Sequence, residues 1–293
     1  MLFVTEDQVR ELLPMRDCIL VMRQVFVELR KGAAQNQVRR RLNLPTGSTL
    51  HSLAGAFGKY FGTKIYSSNP KVGASFFFLL FDAETARPLA QFEANYLGQI
   101  RTGAASAVAT DLLAAQDASV LAIIGSGFQA RAQFEAIRLV RPIKEVRVWS
   151  RDPAKCREFA NLIGGTPSAT AQHALRGADI VATATSAKEP VLASDWIQNG
   201  THINAMGSNQ PQRRELPSGL IARARLIAVD SLEQAKIEAG DLLLAPVDWT
   251  DPRIVELAQV EARPAGAPVT IFESLGLGVE DVAAAAFVYE QLL

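Results

Sequence analysis

The stretch Val120-Leu-Ala-Ile-Ile124-Gly125-Ser-Gly-Phe-Gln-Ala130 joins a short apolar run to a glycine turn, and an alternating polar and apolar segment, 131–140, follows it. This order predicts a strand, a tight turn and a helix, which together open a dinucleotide-binding βαβ unit. Gly125 permits the turn, Gly127 lets the backbone approach a pyrophosphate, and Ala130 permits close packing of the helix on the strand. The candidate pyrophosphate contacts are Gly125, Ser126, Gly127, Phe128, Gln129 and Ala130.

The next predicted strand, Glu145-Val-Arg-Val-Trp149, ends in Ser150-Arg151-Asp152, and a helix then runs through Ile163. At this position an NAD site usually presents an acidic residue to the ribose hydroxyl, whereas a 2′-phosphate needs a hydroxyl or a cation. Ser150 and Arg151 suit the phosphate, because a guanidinium offers a planar fork of donors. We therefore predict a preference for NADP(H). The alternative is an NAD(H) site in which Arg151 is a solvated charge and Asp152 binds the ribose.

Strand and helix patterns alternate through the rest of the chain. Strands are expected at 178–183, 201–206, 225–229 and 269–272, and a terminal helix at 279–293. Such alternation predicts an α/β fold with a doubly wound parallel sheet, whose ligands bind at the carboxyl ends of the strands. Further cofactor-binding candidates at these strand ends are Thr183, Thr185, Met206 and Gly207.

The N-terminal part of the chain has a different pattern. Amphipathic helices at 6–13 and 15–30 precede strands at 39–44, 49–53, 62–67 and 74–82, of which Phe76-Phe-Phe-Leu-Leu-Phe81 is expected to be a buried central strand. An alanine-rich segment, 91–113, predicts a long helix. We therefore predict a mixed α+β domain of residues 1–117 with 274–293, and a Rossmann domain of residues 118–273.

Composition excludes several classes of function. The chain has 293 residues, 48% of them hydrophobic, and its 30 Lys and Arg balance 30 Asp and Glu, which argues against nucleic acid as a partner. No apolar run reaches membrane-spanning length and the first residues lack a signal-peptide pattern, so we expect a cytoplasmic protein with no membrane partner. Cys18 and Cys156 are too few for a disulfide framework, and the three histidines are scattered, so no metal site is expected.

Four charged residues in apolar or strand-like surroundings are candidates for chemistry: Arg41, Lys64, Arg101 and Asp230. Three cations on three segments of one domain can converge on a substrate carboxylate. The alternative for each is a surface cation with a buried stem. Asp230 ends a predicted strand, where it is placed to act as an acid or base or to bind an iminium. Its alternative role is an N-cap for a helix at 231–239.

Seven segments, taken together and in this order, resemble the ornithine cyclodeaminase/mu-crystallin family across nearly the whole chain: Lys64-Ile-Tyr-Ser-Ser-Asn-Pro70, Ile100-Arg-Thr-Gly-Ala-Ala-Ser106, Ile124-Gly-Ser-Gly-Phe-Gln-Ala-Arg131, Asn204-Ala-Met-Gly-Ser208, Arg214-Glu-Leu216, Val229-Asp-Ser231 and Leu275-Gly-Leu-Gly-Val-Glu-Asp281. The resemblance implies a homodimer in which the N-terminal domain, rejoined by the C-terminal helix, binds substrate, while the Rossmann domain binds a nicotinamide cofactor. It assigns carboxylate binding to Arg41, Lys64 and Arg101, makes Asp230 and Lys64 the catalytic candidates, and places the backbone of Leu275 and Gly276 beside the substrate.

The family contains ornithine cyclodeaminases, alanine and related amino-acid dehydrogenases, and ketimine reductases, all of which handle an imine or iminium beside a carboxylate. Its ornithine-specific members place a glutamate just before a Met-Pro pair, whereas the corresponding stretch here is His51-Ser52-Leu53-Ala54. This departure and the Ser150-Arg151 pair favour an NADPH-dependent reductase of Δ1-pyrroline-2-carboxylate or Δ1-piperideine-2-carboxylate, which yields L-proline or L-pipecolate. The alternatives, in order, are an ornithine cyclodeaminase using NAD, an alanine dehydrogenase and a non-catalytic binding protein. His51 is expected to be either a polar substrate contact or a structural histidine.

Overall fold

The computed structural model describes residues 1–293, which divide into a first unit, Met1–Ala104 with Gly276–Leu293, and a second unit, Ala105–Leu275. The boundaries lie at 104/105 and 275/276, where the sequence predicts 117/118 and 273/274. None of the helices combines the length and the apolar character needed to cross a membrane. The helices are α1 (Glu6–Leu12), α2 (Met15–Arg30), α3 (Asn95–Leu113), α4 (Phe128–Val140), α5 (Pro153–Ile163), α6 (Ala171–Leu175), α7 (Ser218–Arg223), α8 (Leu232–Glu238), α9 (Gly240–Leu243) and α10 (Gly278–Gln291), with short 3-10 helices at Ser194–Trp196 and Leu257–Gln259. The strands are β1 (Leu2–Val4), β2 (Gln35–Asn36), β3 (Arg40–Asn43), β4 (Thr49–Phe57), β5 (Tyr60–Asn69), β6 (Gly73–Asp82), β7 (Pro88–Glu93), β8 (Val120–Ile124), β9 (Glu145–Trp149), β10 (Thr166–Pro167), β11 (Ile180–Thr183), β12 (Thr201–Ala205), β13 (Leu226–Val229), β14 (Ile254–Glu256) and β15 (Val269–Glu273).

A seven-stranded sheet forms the first unit, in the order β1-β7-β6-β5-β4-β2, with β3 also paired to β4. β1 runs parallel to β7, and the other neighbours are antiparallel. Helix α10 packs against β4, β5 and α2. The start of α10 lies directly on β4, because a Cβ on Gly278 would stand only 2.6 Å from the carbonyl oxygen of Ala54. This close approach brings the first turn of α10 to the covered face of the sheet.

The two faces of this sheet have different surroundings. Phe78 is fully buried on the face that meets α10, whereas its neighbour Phe77, on the other face, is 45% exposed. The prediction that the run 76–81 is buried throughout is therefore wrong for alternate residues. β6 is indeed interior to the sheet, but helices cover only one face, so burial alternates along the strand.

The helix predicted at 91–113 begins at Asn95 instead, because residues 91–93 belong to β7. In β7, Gln91 lies opposite Phe3 of β1, and Phe92 lies opposite Phe78 of β6. Pairing with strands that are distant in sequence outweighs the local preference of this segment for helix. The remaining predicted length of the helix, to Leu113, is confirmed.

An eight-stranded sheet forms the second unit, in the order β10-β9-β8-β11-β12-β15-β13-β14, and every pairing is parallel. Adjacent residues of β8, Ile123 and Ile124, lie in two separate apolar clusters, so the sheet is covered on both faces. The predicted α/β fold with a doubly wound Rossmann sheet is confirmed. The chain reverses its direction of strand addition between β8 and β11, which makes their carboxyl ends the expected ligand-binding edge.

Candidate active site

Lys64, on β5 in the first unit, has a buried ammonium group. Only 3% of its side chain is exposed, and Nζ lies 2.9 Å from Oδ1 and 2.8 Å from Oδ2 of Asp281 on α10. Burial, followed by the charge of Arg101, lowers the pKa of Lys64 to about 8, and the carboxylate of Asp281 opposes that shift. The surface-cation alternative therefore does not apply to Lys64.

Arg101, on α3, is held by the same turn of α10. Its Nη1 donates to Oε2 of Glu280 at 2.9 Å, and its Nε donates to Oδ1 of Asp281 at 3.2 Å. The backbone at Gly276 lies against the guanidinium, since a Cβ there would stand 2.6 Å from Nη1. Gly276 also has φ +78°, in the left-handed region that favours glycine. Both the backbone angle and the space therefore require glycine beside Arg101.

The third buried cation is Arg39 and not Arg41. Arg39 is 6% exposed; its Nη1 donates to the hydroxyl of Tyr66 at 2.7 Å and its Nη2 to the carbonyl of Gly276 at 3.3 Å. Arg41 lies in β3 opposite His51 and is only half-buried. Sequence reasoning missed Arg39 because alternate residues of an extended segment share a face, so periodicity does not separate 39 from 41. The carboxylate-binding role of Arg41 stays a prediction.

Two carboxyl groups in the first turn of α10 balance these cations. Although burial acts in the opposite direction, the charges of Arg101 and Lys64 hold the pKa of Asp281 below its ordinary value. Burial raises the pKa of Glu280, and Oε1 of Glu280 is buried without a hydrogen-bond partner. We call Arg39, Lys64, Arg101, Glu280 and Asp281 the cation cluster. Because its cations outnumber its carboxyl groups, it is chemically suited to accept one further carboxylate.

His51, on β4, has a largely structural setting. Its ring stacks on Tyr66 with a centroid distance of 4.1 Å and an interplanar angle of 3°, and Nε2 lies 2.9 Å from Oγ of Ser68. Burial, followed by the charges of Arg41 and Arg39, lowers the pKa of His51 to about 4. The imidazole is therefore neutral at neutral pH and supplies no negative charge to this part of the unit.

The glycine turn of the second unit has the geometry that a pyrophosphate needs. Gly125 has φ +123°, and a Cβ on it would stand 2.4 Å from the carbonyl oxygen of Ala184, whereas a Cβ on Gly127 would meet nothing within 4 Å. α4 begins at Phe128 with Gly127 as its N-cap, and no side chain caps it. No side chain therefore competes with an anion at the N-terminal end of α4, and the turn fits a dinucleotide cofactor.

The end of β9 borders a cavity of about 480 Å³, whose lining includes four polar or cationic residues, Ser150, Arg151, Arg157 and Ser168, beside apolar ones such as Trp149. Ser150 accepts a hydrogen bond from the hydroxyl of Ser126 in the glycine turn at 2.9 Å. Asp152 is engaged elsewhere, because its Oδ1 accepts from the amides of Ala154 and Lys155 at 2.9 and 3.2 Å and so caps α5. We call this cavity the β9 cavity. Arg157 and Ser168 were not found from the sequence, since neither lies in the motif.

The ends of β11 and β12 carry the other predicted cofactor residues, and a buried glutamate joins them. Glu215 accepts hydrogen bonds at Oε2 from the Thr183 hydroxyl at 2.7 Å and the Gly207 amide at 2.8 Å, and at Oε1 from the Thr185 amide at 2.7 Å. Met206 lies between these contacts, and its amide donates to the Thr183 carbonyl. Local sequence patterns do not indicate this arrangement, although Glu215 lies in one of the seven motif segments.

Asp230 follows β13 directly and is 2% exposed. Its Oδ2 accepts from the Leu275 amide at 2.5 Å. The predicted alternative, that Asp230 caps the following helix, is wrong, because Ser231 is the N-cap of α8 and its hydroxyl accepts from the Gln234 amide. Burial raises the pKa of Glu273, at the end of neighbouring β15, well above its ordinary value, and the charges of Asp241, Glu215 and Asp230 add to that shift. Asp230 is therefore a fixed carboxyl at the ligand-binding edge.

Comparison with known proteins covers the full chain. Residues 1–293 match the sequence profile of the ornithine cyclodeaminase/mu-crystallin family. The ketimine reductase mu-crystallin of Mus musculus is 40% identical over 217 residues, which cover 72% of this chain and 68% of that protein. The solved structure of Thermococcus litoralis Δ(1)-pyrroline-2-carboxylate reductase in complex with NADH and L-proline is 30% identical, covers 99% of this chain and 97% of that chain, and superposes with a TM-score of 0.93. An archaeal alanine dehydrogenase dimer with bound NAD is 31% identical, with a TM-score of 0.92 over 99% of this chain and 95% of that chain.

These similarities extend through both units and include proteins that bind a nicotinamide cofactor. They confirm the family resemblance that the seven sequence segments indicate. The chain is therefore an oxidoreductase that acts on carbon–nitrogen bonds, and it belongs to the ornithine cyclodeaminase/mu-crystallin family.

Proposed function

We propose that this protein is an NAD(P)H-dependent reductase of small cyclic imine carboxylates, converting Δ1-pyrroline-2-carboxylate or Δ1-piperideine-2-carboxylate into L-proline or L-pipecolate. The cation cluster carries the proposal: Arg39, Lys64 and Arg101 are buried together, and Glu280 and Asp281 are the carboxyl groups that pair with the last two. A site of this kind favours a small anion over a neutral or cationic ligand. Names of relatives agree with this substrate class, since both a ketimine reductase and a pyrroline-2-carboxylate reductase are similar to the chain.

In the proposed reaction the first unit binds the substrate carboxylate, and Arg39 and Arg101 provide planar donors for it. A nicotinamide cofactor, when bound to the second unit, supplies the hydride that the imine carbon accepts. That carbon gains one proton together with two electrons, the electrons of the C=N π bond move to nitrogen, and nitrogen takes up a second proton. Asp230 and Lys64 are the groups proposed to stabilise the iminium and to handle that proton, since Asp230 is held by the Leu275 amide and Lys64 has its pKa near neutrality.

The residues around the β9 cavity support NADP(H) as the preferred cofactor. Arg151 and Arg157 supply two guanidinium groups, and Ser150 and Ser168 supply two hydroxyl groups, all suited to a 2′-phosphate. Asp152 is occupied by the amides of α5, which weakens the alternative in which it binds a ribose hydroxyl. NAD(H) remains the second cofactor, because related structures carry NAD or NADH.

Ornithine cyclodeamination is the second candidate, and the surroundings of His51 disfavour it. That reaction requires a partner for a second, positively charged amine. The imidazole of His51 is neutral at neutral pH, and the two cations that shift its pKa, Arg41 and Arg39, would repel an ammonium group. The position that would have to bind the second amine therefore offers no carboxylate.

A homodimer is also part of the proposal, through the uncovered face of the seven-stranded sheet. Strand register places apolar side chains from four strands on that face: Phe3, Leu42, Leu50 and Phe77. All four are exposed in the single chain. Large apolar side chains exposed on an uncovered sheet face are typical of a protein–protein interface, and a related alanine dehydrogenase is a dimer.

The decisive experiment measures oxidation of NADPH, by loss of its absorbance, with each of the two cyclic imines, beside an ammonia-release assay with L-ornithine. We expect rapid oxidation with at least one imine and no ammonia from ornithine. Ammonia and proline formed from ornithine without net cofactor consumption would instead identify a cyclodeaminase. If the protein binds the cofactor but shows no activity in either assay, both the imine reductase and the cyclodeaminase are ruled out.

A further inference from the structure

Glu215 connects the segments that carry the predicted cofactor residues on one side of the glycine turn. It lies after β12, is fully buried, and accepts three hydrogen bonds, from Thr183, Thr185 and Gly207. Two of the three donors are backbone amides, which can only donate. The three contacts therefore favour the ionised carboxylate and fix both of its oxygen atoms.

The surroundings of this carboxylate leave it no freedom to move. A Cβ on Gly207 would stand 2.3 Å from the carboxyl carbon of Glu215, so glycine is required there. The backbone of Glu215 is held as well, because Oδ1 of Asp241 accepts from its amide at 2.8 Å and from the Leu216 amide at 2.6 Å. Glu215 is thus a preorganised group and not an adaptable surface side chain.

Burial also raises the pKa values of the acids that neighbour Glu215. Burial raises the pKa of Asp241 to about 7, and burial together with the charges of Asp241, Glu215 and Asp230 raises that of Glu273 well above its ordinary value. Burial also raises the pKa of Glu215, but the hydrogen bonds from Thr185, Thr183 and Gly207 act against it. The three hydrogen bonds therefore oppose the effect of burial and stabilise the negative charge of Glu215.

The sheet order places Glu215 on the half that would receive the nicotinamide. A doubly wound sheet binds one nucleotide on each side of its switch point, which lies here between β8 and β11. The β9 cavity, with Ser150 and Arg151, marks the adenosine half in the proposed function. The other half begins with β11 and β12, whose ends Glu215 joins.

We infer that Glu215 is a positioning residue whose fixed charge makes the cofactor site prefer the oxidised nicotinamide over the reduced one. The oxidised ring is a cation and the reduced ring is neutral, so a buried carboxylate on this half stabilises the first relative to the second. Loss of hydride creates that positive charge, and Glu215 therefore favours transfer of hydride to the imine. This inference rests on the proposed cofactor site, and it specifies that the site favours reduction of the imine over oxidation of the amine.

The test is a calorimetric measurement of Kd for NADP+ and for NADPH in the wild type and in Glu215→Gln. We expect the ratio of the oxidised to the reduced Kd to rise about threefold or more in the variant. A residue that only maintains the loop would weaken both forms by the same factor and leave this ratio unchanged, and that result overturns the inference. A wild type that binds neither form refutes the proposed cofactor site instead, so the two failures are distinguishable.

Glu238→Gln is the matched control, because Glu238 is equally buried in the same unit and accepts from Nε2 of Gln234 at 2.7 Å on α8. It should leave the ratio as in the wild type. If Glu215→Gln fails to fold by circular dichroism, Thr183→Val takes its place. Removing this donor to Oε2 favours the protonated carboxyl, so the ratio should move in the same direction by a smaller factor. An unchanged ratio in that variant would equally overturn the inference.

Discussion

The ammonium group of Lys64 and the carboxylate of Asp281 form a fully buried ion pair, with Nζ 2.9 Å from Oδ1 and 2.8 Å from Oδ2. The two residues are 217 positions apart in the sequence, and they join β5 to the first turn of α10. Arg101 shares the same carboxylate through Nε at 3.2 Å. The interaction therefore links the substrate-binding candidates to the C-terminal helix of the first unit.

Removal of this shared carboxylate should destabilise the protein. In Asp281→Asn, Lys64 and Arg101 remain buried without their common counterion, which we expect to cost about 3 kcal/mol of unfolding free energy. Urea denaturation followed by circular dichroism measures the change. Glu290→Gln is the control, because Glu290 pairs with Lys59 at an exposed position and its loss should change stability little. Equal stability of the two variants would contradict the structural role assigned to Asp281.

The charge of Lys64 should be visible in the pH dependence of activity. Because its pKa in the folded protein is about 8, the amine is protonated below that value and neutral above it. Carboxylate binding needs the protonated form, so kcat/KM should fall as pH rises through about 8, by about tenfold per pH unit at the steepest.

Lys64→Arg provides the comparison for that profile, since a guanidinium stays charged across the range. Its absolute kcat/KM is expected to be lower, but the fall near pH 8 should disappear. Titration of the imine itself is common to both proteins and cancels in the comparison. A decline of the same size in Lys64→Arg would assign the titration to another group.

Asp230→Asn should separate chemistry from cofactor binding. Because the carboxylate is proposed to stabilise the iminium, we expect kcat to fall about a hundredfold or more, while the Kd for NADPH changes less than about twofold. Steady-state kinetics and calorimetry measure the two quantities. Asp117→Asn, at an exposed position of the same unit, should change neither. Unchanged turnover in Asp230→Asn would remove this residue from the mechanism.

Arg151→Ala should change cofactor preference. Loss of a guanidinium beside a 2′-phosphate is expected to raise the KM for NADPH about tenfold and to leave the KM for NADH nearly as it was. Lys144→Ala, which removes an exposed cation elsewhere in the second unit, should alter neither value. If both KM values rise together in Arg151→Ala, the arginine supports the fold and does not recognise the phosphate.

A charge on the uncovered face of the sheet should prevent dimerisation. Phe77 is 45% exposed in the single chain, and Phe77→Glu would place a carboxylate in the proposed interface. Light scattering during gel filtration should show a dimer for the wild type and a monomer for the variant. Leu162→Glu, at a 65% exposed position in α5, is the control and should remain dimeric. A dimeric Phe77→Glu would place the interface elsewhere.

The sequence predicts the Rossmann unit better than the first unit, and the reason is physical. β8 and β9 have the predicted bounds, because an apolar run that ends in a glycine turn is a local signal. The pattern of β7 predicts the start of a helix, because its strand character comes from partners in β1 and β6 that are distant in sequence. Sequence patterns therefore identify those strands and helices whose structure depends mainly on residues that are close in sequence.

The sequence predicts that buried charged residues form the candidate site, but it does not identify all of those residues. Lys64, Arg101 and Asp230 stood out because a charge interrupted an apolar pattern, and all three are buried. Arg39 and Arg41 are alternate residues of an extended segment, so hydrophobic periodicity assigns them to the same face. Which of the two is buried depends on tertiary packing, which the periodicity does not predict. The roles of Glu215 and of the two carboxyl groups on α10 could not be predicted either, because their hydrogen-bond and ion-pair partners come from distant segments of the chain.

The backbone at Gly276 lies directly against the guanidinium of Arg101. Any side chain at 276 must displace the guanidinium, since a Cβ would stand 2.6 Å from Nη1 and 2.9 Å from Nη2. A smaller residue at position 101 would relieve only the steric conflict, because φ of +78° at 276 still strains any residue other than glycine. Replacement of Gly276 would therefore disturb both the backbone of this turn and the position of one cation of the cluster.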